Sequence, residues 1–168
     1  CVCEDCQREL FLKTDRRAFY PFINCTNCGP RFTIIKKTPY DREMTTMEKF
    51  KLCPECLKEY RDVLNRRYHA EPVACPVCGP HYSLFNRSRE KIENPIESAA
   101  KLLEDGKIIA IKGLGGYHIG CDALNKEVVD ELRIRLGRPY QPFAILGRNI
   151  EAIEKCCNVN YEEKNALT

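Results

Sequence analysis

Eight cysteines in the first half of the chain carry the clearest chemistry in the sequence. They form four Cys-x-x-Cys pairs: Cys3/Cys6, Cys25/Cys28, Cys53/Cys56 and Cys75/Cys78. The gaps between successive pairs contain 18, 24 and 18 residues, so the array consists of two copies of one four-cysteine unit. Such a fixed repeat indicates a duplicated structural module.

Four thiolates in a tetrahedral arrangement are the ligand set of structural zinc, and a spacer of roughly 15–20 residues between two pairs is the usual zinc spacing. We therefore predict two Zn(II) ions, each bound by one copy: Cys3, Cys6, Cys25 and Cys28, and then Cys53, Cys56, Cys75 and Cys78. A disulfide framework is the alternative, but it does not explain four identical two-residue gaps. Because each thiolate set is closed, we expect both ions to be structural.

The other cysteines and histidines show no zinc spacing. His69 and His81 lie near the second set, and we expect structural or surface roles for them because that set is complete. Cys1 is a poor alternative to Cys3. Three further cysteines are expected to be reduced and buried: Cys121, Cys156 and Cys157.

Arginine pairs recur at the 50-residue offset that relates the two copies. Arg16-Arg17 corresponds to Arg66-Arg67, and Cys28-Gly29-Pro30 corresponds to Cys78-Gly79-Pro80. Both copies carry the pairs although only one catalytic pocket is expected, so we expect the arginines to serve structure and interface. With their neighbouring aromatic residues, they also leave open a zinc module that recognises RNA or protein.

Composition and charge restrict the possible partners. Hydrophobic residues at 43% and charged residues at 30% are values of a globular protein. No apolar stretch reaches the roughly 18 residues of a membrane helix, so we expect a soluble cytoplasmic protein without a membrane partner. Eight thiolates and two Zn(II) change the formal charge from +3 to near −1, which disfavours nucleic acid as a partner. The chain starts at cysteine rather than methionine, so we expect residues upstream.

Local patterns predict short elements among the cysteine pairs. Arg31 to Ile35 alternates polar and apolar residues and predicts a strand, and His81 to Phe85 occupies the same position in the second copy. Thr45 followed by Glu48 is a capping-box pattern, which predicts a short helix leading to Cys53.

From Asn94 onward the pattern is that of an α/β domain. The predicted order is a helix from Asn94-Pro95 to Gly106, a buried strand Lys107–Lys112, a glycine-rich loop Gly113–Asp122, a helix Lys126–Arg135, a strand Gln141–Leu146 and a helix Ile150–Cys157. We predict a first zinc-finger unit at 1–38, a linker and second unit at 39–90, and the α/β domain at 91–168.

The glycine-rich loop and its basic neighbours form a candidate anion site. Backbone amides of Gly113 to Gly116, together with Lys112, are suited to phosphate, although a tight structural turn explains the glycines about as well. Three arginines follow downstream: Arg133, Arg135 and Arg138. They favour an anionic substrate, and a solvated helix face is their alternative.

These motifs together resemble the HypF carbamoyltransferase family of [NiFe] hydrogenase maturation. Its zinc-finger region is matched by the two cysteine units and by 25–33, 39–42, 59–60 and 66–70, whose sequences are CTNCGPRFT, PYDR, EY and RRYHA. The start of its YrdC-like domain is matched by 112–118, 121–123 and 142–144, which read KGLGGYH, CDA and PFA. The resemblance implies small tandem zinc-binding modules followed by a partial α/β YrdC-like domain.

The resemblance also implies a reaction. A HypF protein converts carbamoyl phosphate and ATP, with Mg, to carbamoyl adenylate and passes the carbamoyl group to the C-terminal cysteine of HypE, as a step towards the cyanide ligand of iron. The implied nucleotide and substrate residues are Lys112, Gly115, Gly116, His118, Arg135 and Arg138.

One departure from the family pattern bears on the nucleotide site. YrdC-like domains usually carry Lys-x-Arg after the second helix, whereas this chain reads Leu136-Gly137-Arg138 and has Gln141 where a lysine is often found. Either a neighbour such as Arg135 compensates, or adenylation is impaired. We expect the chain by itself to make no carbamoyl adenylate, since it includes only the first part of that domain.

Overall fold

The computed structural model describes residues 2–113 and 115–167. The chain divides along its sequence, between Ile96 and Glu97, into two compact units, called here the finger unit and the α/β unit. Cys1, the rejected alternative ligand, and Leu114 of the glycine loop lie outside the described residues, as does Thr168. No helix in the described part of the chain is long and apolar enough to cross a membrane.

The finger unit is built from two equivalent helices and short local structure. Helix α1 (Glu4–Phe11) and helix α2 (Pro54–Arg61) each begin directly after the first cysteine of a copy. Acidic residues in the first turn of α1 and a proline at the start of α2 favour these start points. Three 3₁₀ helices follow α1, at Phe32–Ile34, Arg42–Met44 and Thr46–Lys49. Strands β1 (Leu84–Phe85) and β2 (Lys91–Ile92) pair antiparallel.

One prediction for this unit is wrong and another is confirmed. The predicted strand Arg31–Ile35 is wrong, because only Ile35 finds a partner, in a single bridge to Thr45. The 3₁₀ turn instead buries Ile34 and leaves Phe32 87% exposed. The predicted helix after Thr45 is confirmed as a 3₁₀ helix, whose Met47 amide donates to the Thr45 hydroxyl. Glu48 pairs with Lys36 instead of completing a capping box.

One hydrophobic core links the first copy of the cysteine unit to the linker and to Ala74 of the second copy. Its buried members come from each copy and from the linker between them: Cys6, Tyr20, Ile23, Cys25, Cys28, Ile34, Met47 and Ala74. The Tyr20 hydroxyl donates to the Pro80 carbonyl at 3.1 Å, and the Asn24 side-chain amide donates to the Pro72 carbonyl at 3.0 Å. The copies are therefore halves of one folded body.

The α/β unit contains four helices and one hairpin among its described residues. Helix α3 (Pro95–Glu104) leads into the unit and ends before Gly106, which has φ +70°. Strands β3 (Ile109–Lys112) and β4 (Tyr117–Gly120) pair antiparallel. Helices α4 (Lys126–Leu136), α5 (Ile150–Glu154) and α6 (Tyr161–Leu167) complete it. Asn125 caps α4 by accepting from the Val128 amide, and Gly137 ends it in the left-handed region.

The helix predictions hold better here than the strand predictions. The expected helices at α3 and α4 are confirmed, whereas the helix predicted to Cys157 ends at Glu154, and α6 was not predicted. The strand predicted at Lys107–Lys112 exists but is largely exposed, because in the described part of the chain it pairs with β4 alone. The loop predicted to Asp122 is shorter, since β4 occupies its second half.

Two further predictions in this unit are wrong. The predicted strand Gln141–Leu146 has no ladder partner among the described residues, and Leu146 is fully exposed. The expectation of buried spare cysteines also fails, because Cys121 is half-buried and both Cys156 and Cys157 are exposed.

Candidate metal centres and nucleotide-binding hairpin

The eight paired cysteines form two separate four-sulfur clusters. One contains Cys3, Cys6, Cys25 and Cys28 and the other Cys53, Cys56, Cys75 and Cys78, with all four sulfurs of a cluster within 4.8 Å of one another. Zn–S bonds of about 2.3 Å in a tetrahedron require sulfurs roughly 3.8 Å apart, whereas a disulfide requires about 2.05 Å. The Cys3–Cys25 and Cys25–Cys28 separations are 3.6 and 3.9 Å. Those of Cys53–Cys75 and Cys75–Cys78 are both 3.7 Å, so each cluster fits one zinc ion.

Each cluster combines a helix start with a tight turn. In the second copy, Cys53 precedes α2 and Cys56 lies in its first turn, while Cys75 and Cys78 flank a turn closed by the Cys78 amide on the Cys75 carbonyl at 3.2 Å. The Val77 amide also donates to the Cys75 sulfur at 3.4 Å. The first copy repeats this arrangement. Gly79 is required after the turn, because a β-carbon there would lie 2.1 Å from the Tyr20 hydroxyl.

Hydrogen bonds and burial act in opposite directions on the thiols. A backbone hydrogen bond from Cys6 lowers the pKa of Cys3 to about 7. Burial raises the pKa of Cys75, but the amides of Val77 and Cys78 outweigh burial and bring it to about 7. Burial raises the pKa of Cys6 to about 12 despite the hydrogen bond from Arg66. A cation is therefore needed to hold all four sulfurs of a cluster as thiolates.

The residues predicted around the glycine loop lie on a two-stranded hairpin. The Gly113 amide donates to the Gly116 carbonyl at 2.7 Å and closes the turn between β3 and β4. A β-carbon at Gly115 or Gly116 would meet nothing within 4 Å, so their backbone is open to a ligand. Lys112 pairs across the hairpin with Tyr117, and its ammonium lies 5.2 Å from the centre of that ring.

The strand register separates two of the predicted nucleotide residues. Lys112 is opposite Tyr117, and His118 is opposite Ile111. Residues that face each other in a pair share a face of the sheet, and neighbours along a strand alternate. Lys112 and His118 therefore lie on opposite faces, and His118 packs over Gly113. A ligand that contacts both Lys112 and His118 must therefore extend around the turn of the hairpin.

The predicted arginines lie at the end of α4. Arg135 forms an ion pair with Glu131 one helical turn earlier. Arg138 follows Gly137, and its amide closes the helix on the Arg133 carbonyl at 3.0 Å. Arg133 donates to the Arg138 and Gln141 carbonyls at 3.3 and 2.8 Å and lies 4.8 Å from the centre of the Phe143 ring. The structure thus gives Arg133 an anchoring position.

Comparisons with known proteins agree over both units. Residues 2–35 and 52–85 each match the family described as "HypF finger". Residues 101–168 match the Sua5/YciO/YrdC family, which carries the description "Telomere recombination". The crystal structure of HypF from T. kodakarensis superposes with a TM-score of 0.93 at 56% identity and covers 99% of this chain.

The chain belongs to the HypF family.

Other HypF proteins are similarly close to this chain. It is 52% identical over 169 residues to the probable carbamoyltransferase HypF of Methanocaldococcus jannaschii, covering 99% of this chain and 22% of the relative. It is 49% identical over 147 residues to the carbamoyltransferase HypF of Rhodobacter capsulatus, covering 88% and 20%. A full-length HypF in its phosphate- and nucleotide-bound form has a TM-score of 0.88 at 49% identity, covering 98% and 22%. The chain spans about a fifth of the length of these HypF relatives.

The histidines of this HypF-family chain lie outside both sulfur clusters. The His69 ring packs 5.0 Å from Tyr60 and 4.5 Å from Tyr68, measured between ring centres. His81 lies 6.3 Å from Tyr20. These contacts are those of structural and surface residues, as the sequence predicts.

Two glutamates of the HypF finger region have a role that the sequence did not predict. Glu9 and Glu59 occupy equivalent positions and pair with the buried arginines Arg67 and Arg17 of the opposite copy. Burial raises the pKa of each carboxyl, but the arginine hydrogen bonds and charges outweigh burial and hold it below its usual value. Their 50-residue spacing was the available signal.

Proposed function

We propose that this chain provides the zinc-binding fingers and the start of the nucleotide-activating domain of a HypF carbamoyltransferase acting in [NiFe] hydrogenase maturation. The complete enzyme would convert carbamoyl phosphate and ATP, with Mg, to carbamoyl adenylate. It would then pass the carbamoyl group to the C-terminal cysteine of a HypE-like acceptor. The observation that carries the proposal is the continuous similarity to HypF proteins, near 50% identity across both units.

We assign the two zinc ions a structural role. Each four-sulfur cluster is a complete ligand set, which leaves no position for water or substrate on the metal. The sulfur separations fit thiolates rather than disulfides, and this supports a reducing compartment such as the cytoplasm.

For the nucleotide we propose Lys112, Gly115, Gly116, His118, Arg135 and Arg138. The open backbone of the hairpin turn and the Lys112 ammonium suit phosphate oxygens. A full-length HypF relative is known in a phosphate- and nucleotide-bound form, which supports nucleotide binding by the complete protein. Because Lys112 and His118 lie on opposite faces, we assign phosphate contact to Lys112 and the turn amides and a separate contact to His118. Arg135 is the neighbour that could replace the lysine missing at Leu136.

A chimeric enzyme tests the proposal. The corresponding fifth of the T. kodakarensis HypF would be replaced by this chain, and carbamoyl-phosphate-dependent ATP–pyrophosphate exchange would be measured. We expect the chimera to exchange, and Lys112→Ala to lower the exchange rate roughly a hundredfold, as loss of one charge-stabilising donor does. Lys107→Ala, which removes an exposed lysine just before the same strand, is the matched control and should have little effect. A folded, zinc-loaded chimera without exchange would contradict the proposal.

We expect the 168-residue chain by itself to show no exchange. Its candidate nucleotide residues lie on an exposed hairpin and a helix end, where water screens the charges that would bind a triphosphate. Robust exchange by the chain alone would contradict this expectation.

The alternative of a free-standing RNA-recognition module loses its main support. Arg17 and Arg67 are 1% and 3% exposed and pair with the partly buried glutamates Glu59 and Glu9. Arg16 and Arg66 point into the sulfur clusters. We therefore expect no steeply salt-dependent binding of single-stranded RNA in a filter-binding titration.

A further inference from the structure

Arg16 and Arg66, the first arginines of the two pairs, each contact the metal cluster of the other cysteine unit. Arg16, from the first copy, donates to the Cys56 sulfur at 3.0 Å and lies 3.6 Å from that of Cys53. Arg66, from the second copy, donates to the Cys6 sulfur at 2.9 Å. The two contacts are related by the same 50-residue offset as the cysteines.

The second arginine of each pair, Arg17 or Arg67, likewise contacts residues of the opposite copy. Arg17 donates through Nε to the Ala74 carbonyl at 2.8 Å and through Nη1 to Glu59 at 3.0 Å. Arg67 donates through Nε to the Asn24 carbonyl at 3.0 Å and pairs with Glu9. Position 74 is equivalent to position 24, and Glu59 to Glu9, so these contacts are reciprocal. Arg17 also donates to the Cys56 sulfur at 3.3 Å.

The charge at each cluster explains why such donors matter. A four-thiolate zinc site carries a net charge of −2, and burying it costs free energy unless charges or hydrogen bonds compensate. A guanidinium offers fixed N–H donors and a charge that protonation equilibria do not remove near neutral pH. A hydrogen-bonded thiolate is a poorer target for protons and other electrophiles, which stabilises its bond to the metal.

We propose that Arg16 and Arg66 stabilise zinc across the two cysteine units of the chain (in trans between units), each holding the metal centre of the opposite unit. Zinc retention at the second centre then depends on a residue of the first unit, and the reverse. This inference rests on the zinc assignment made above. It predicts a crossed pattern that neither a local role nor general loosening of the fold produces.

The test is site-resolved zinc release from the full 168-residue chain loaded with zinc. A chromogenic chelator would remove the metal, N-ethylmaleimide would trap exposed thiols, and peptide mass spectrometry would assign them to the first or second centre. Arg16→Ala should speed release from the Cys53–Cys78 centre roughly tenfold to a hundredfold, the usual range for groups that orient metal ligands. Arg66→Ala should do the same for the Cys3–Cys28 centre.

Matched control variants separate the effect of losing a hydrogen-bond donor to sulfur from the effect of losing a positive charge. Arg8 and Lys58 are equivalent exposed positions on α1 and α2, so Arg8→Ala and Lys58→Ala remove a positive charge from the same helices and should leave release unchanged. Arg16→Lys and Arg66→Lys keep the charge without the planar fork and should give intermediate rates. They also replace the alanine variants if those fail to fold.

The possible failures are distinguishable. Fewer than two zinc ions in the wild-type chain would overturn the zinc assignment itself. Two ions with unchanged release in the arginine variants, or with both centres accelerated equally, would overturn the trans assignment alone. Faster release only at the centre in the variant's own unit would also overturn it.

Discussion

Arg17 is the most deeply buried charged side chain of the finger unit, and its environment illustrates how single residues hold this fold. Its guanidinium satisfies a backbone carbonyl and both oxygens of Glu59. Removing one partner of such a pair leaves the other charge poorly solvated, and this costs more than the pair contributes.

We therefore expect Arg17→Ala to lower the free energy of unfolding of the zinc-loaded chain by about 3 kcal/mol. Arg8→Ala, which removes an exposed arginine that pairs with Asp5 on the same helix, should cost less than about 1 kcal/mol. Urea denaturation followed by circular dichroism measures both. Equal effects of the two substitutions would contradict the role given to Arg17.

The Glu59 carboxyl predicts how this network responds to pH. Its pKa in the folded protein lies below the usual 4.5, so its contribution to stability is complete above pH 4.5 and is lost as pH falls through the folded value. The stability difference between wild type and Glu59→Gln should thus stay constant from pH 7 to pH 5, where zinc binding can be monitored in parallel. A difference that shrinks within that window would show that the carboxyl titrates higher.

At the scale of single residues, the sequence predicts the cysteine ligands better than the charged residues that surround them. Spacing alone identified all eight clustered cysteines, because both members of each pair lie within one local turn. It did not identify Glu9 or Glu59, since their partners Arg67 and Arg17 are 58 and 42 residues distant. The opposite-face placement of Lys112 and His118 likewise needed the strand register.

Among the elements, helix α4 has the most complete set of local signals. Asn125 caps its start, and Gly137 ends it with φ +61°. Such signals are contained within the segment, so α3 and α4 were predicted correctly. Strands depend on a distant partner, and the pattern at Gln141–Leu146 contains no information about whether that partner exists.

Gly137 allows a direct test of the α4 terminus. A β-carbon there would meet nothing within 4 Å, so Gly137→Ala isolates the cost of the left-handed backbone, about 1 kcal/mol. Gly120→Ala is the matched control, since its β-carbon also meets nothing within 4 Å and its φ is not in that region. Hydrogen exchange of the α4 amides should accelerate only in the Gly137 variant. Unchanged protection would show that the helix end does not depend on this glycine.

Considered as a whole, the finger unit joins its two cysteine copies through buried contacts. The buried cluster includes cysteines of the first centre together with Ala74 from the second copy. A small module with so little apolar core depends on its metal for folding. The sequence predicted the two centres but not the contacts that join the two copies, because those contacts link distant segments.

Chelation should therefore unfold both copies together. We expect metal analysis to give two zinc ions per chain, and removal of both to abolish amide protection throughout residues 2–96 in one step. Helix α4 should keep its protection, since its packing residues Val128 and Leu132 belong to the α/β unit. Hydrogen exchange with and without chelator makes the comparison. After removal of both ions, protection that persists in one cysteine unit but not in the other would contradict this joint unfolding.

The reciprocal arginine contacts also describe a symmetry. Residue 16 reaches residue 56 and residue 66 reaches residue 6, so one surface on each copy matches the same surface on the other. This is the self-complementary pattern of an isologous two-fold dimer. The two copies within the finger unit thus pack against each other as the subunits of a two-fold dimer do. Because the linker joins them in one polypeptide, their stoichiometry is fixed at one to one.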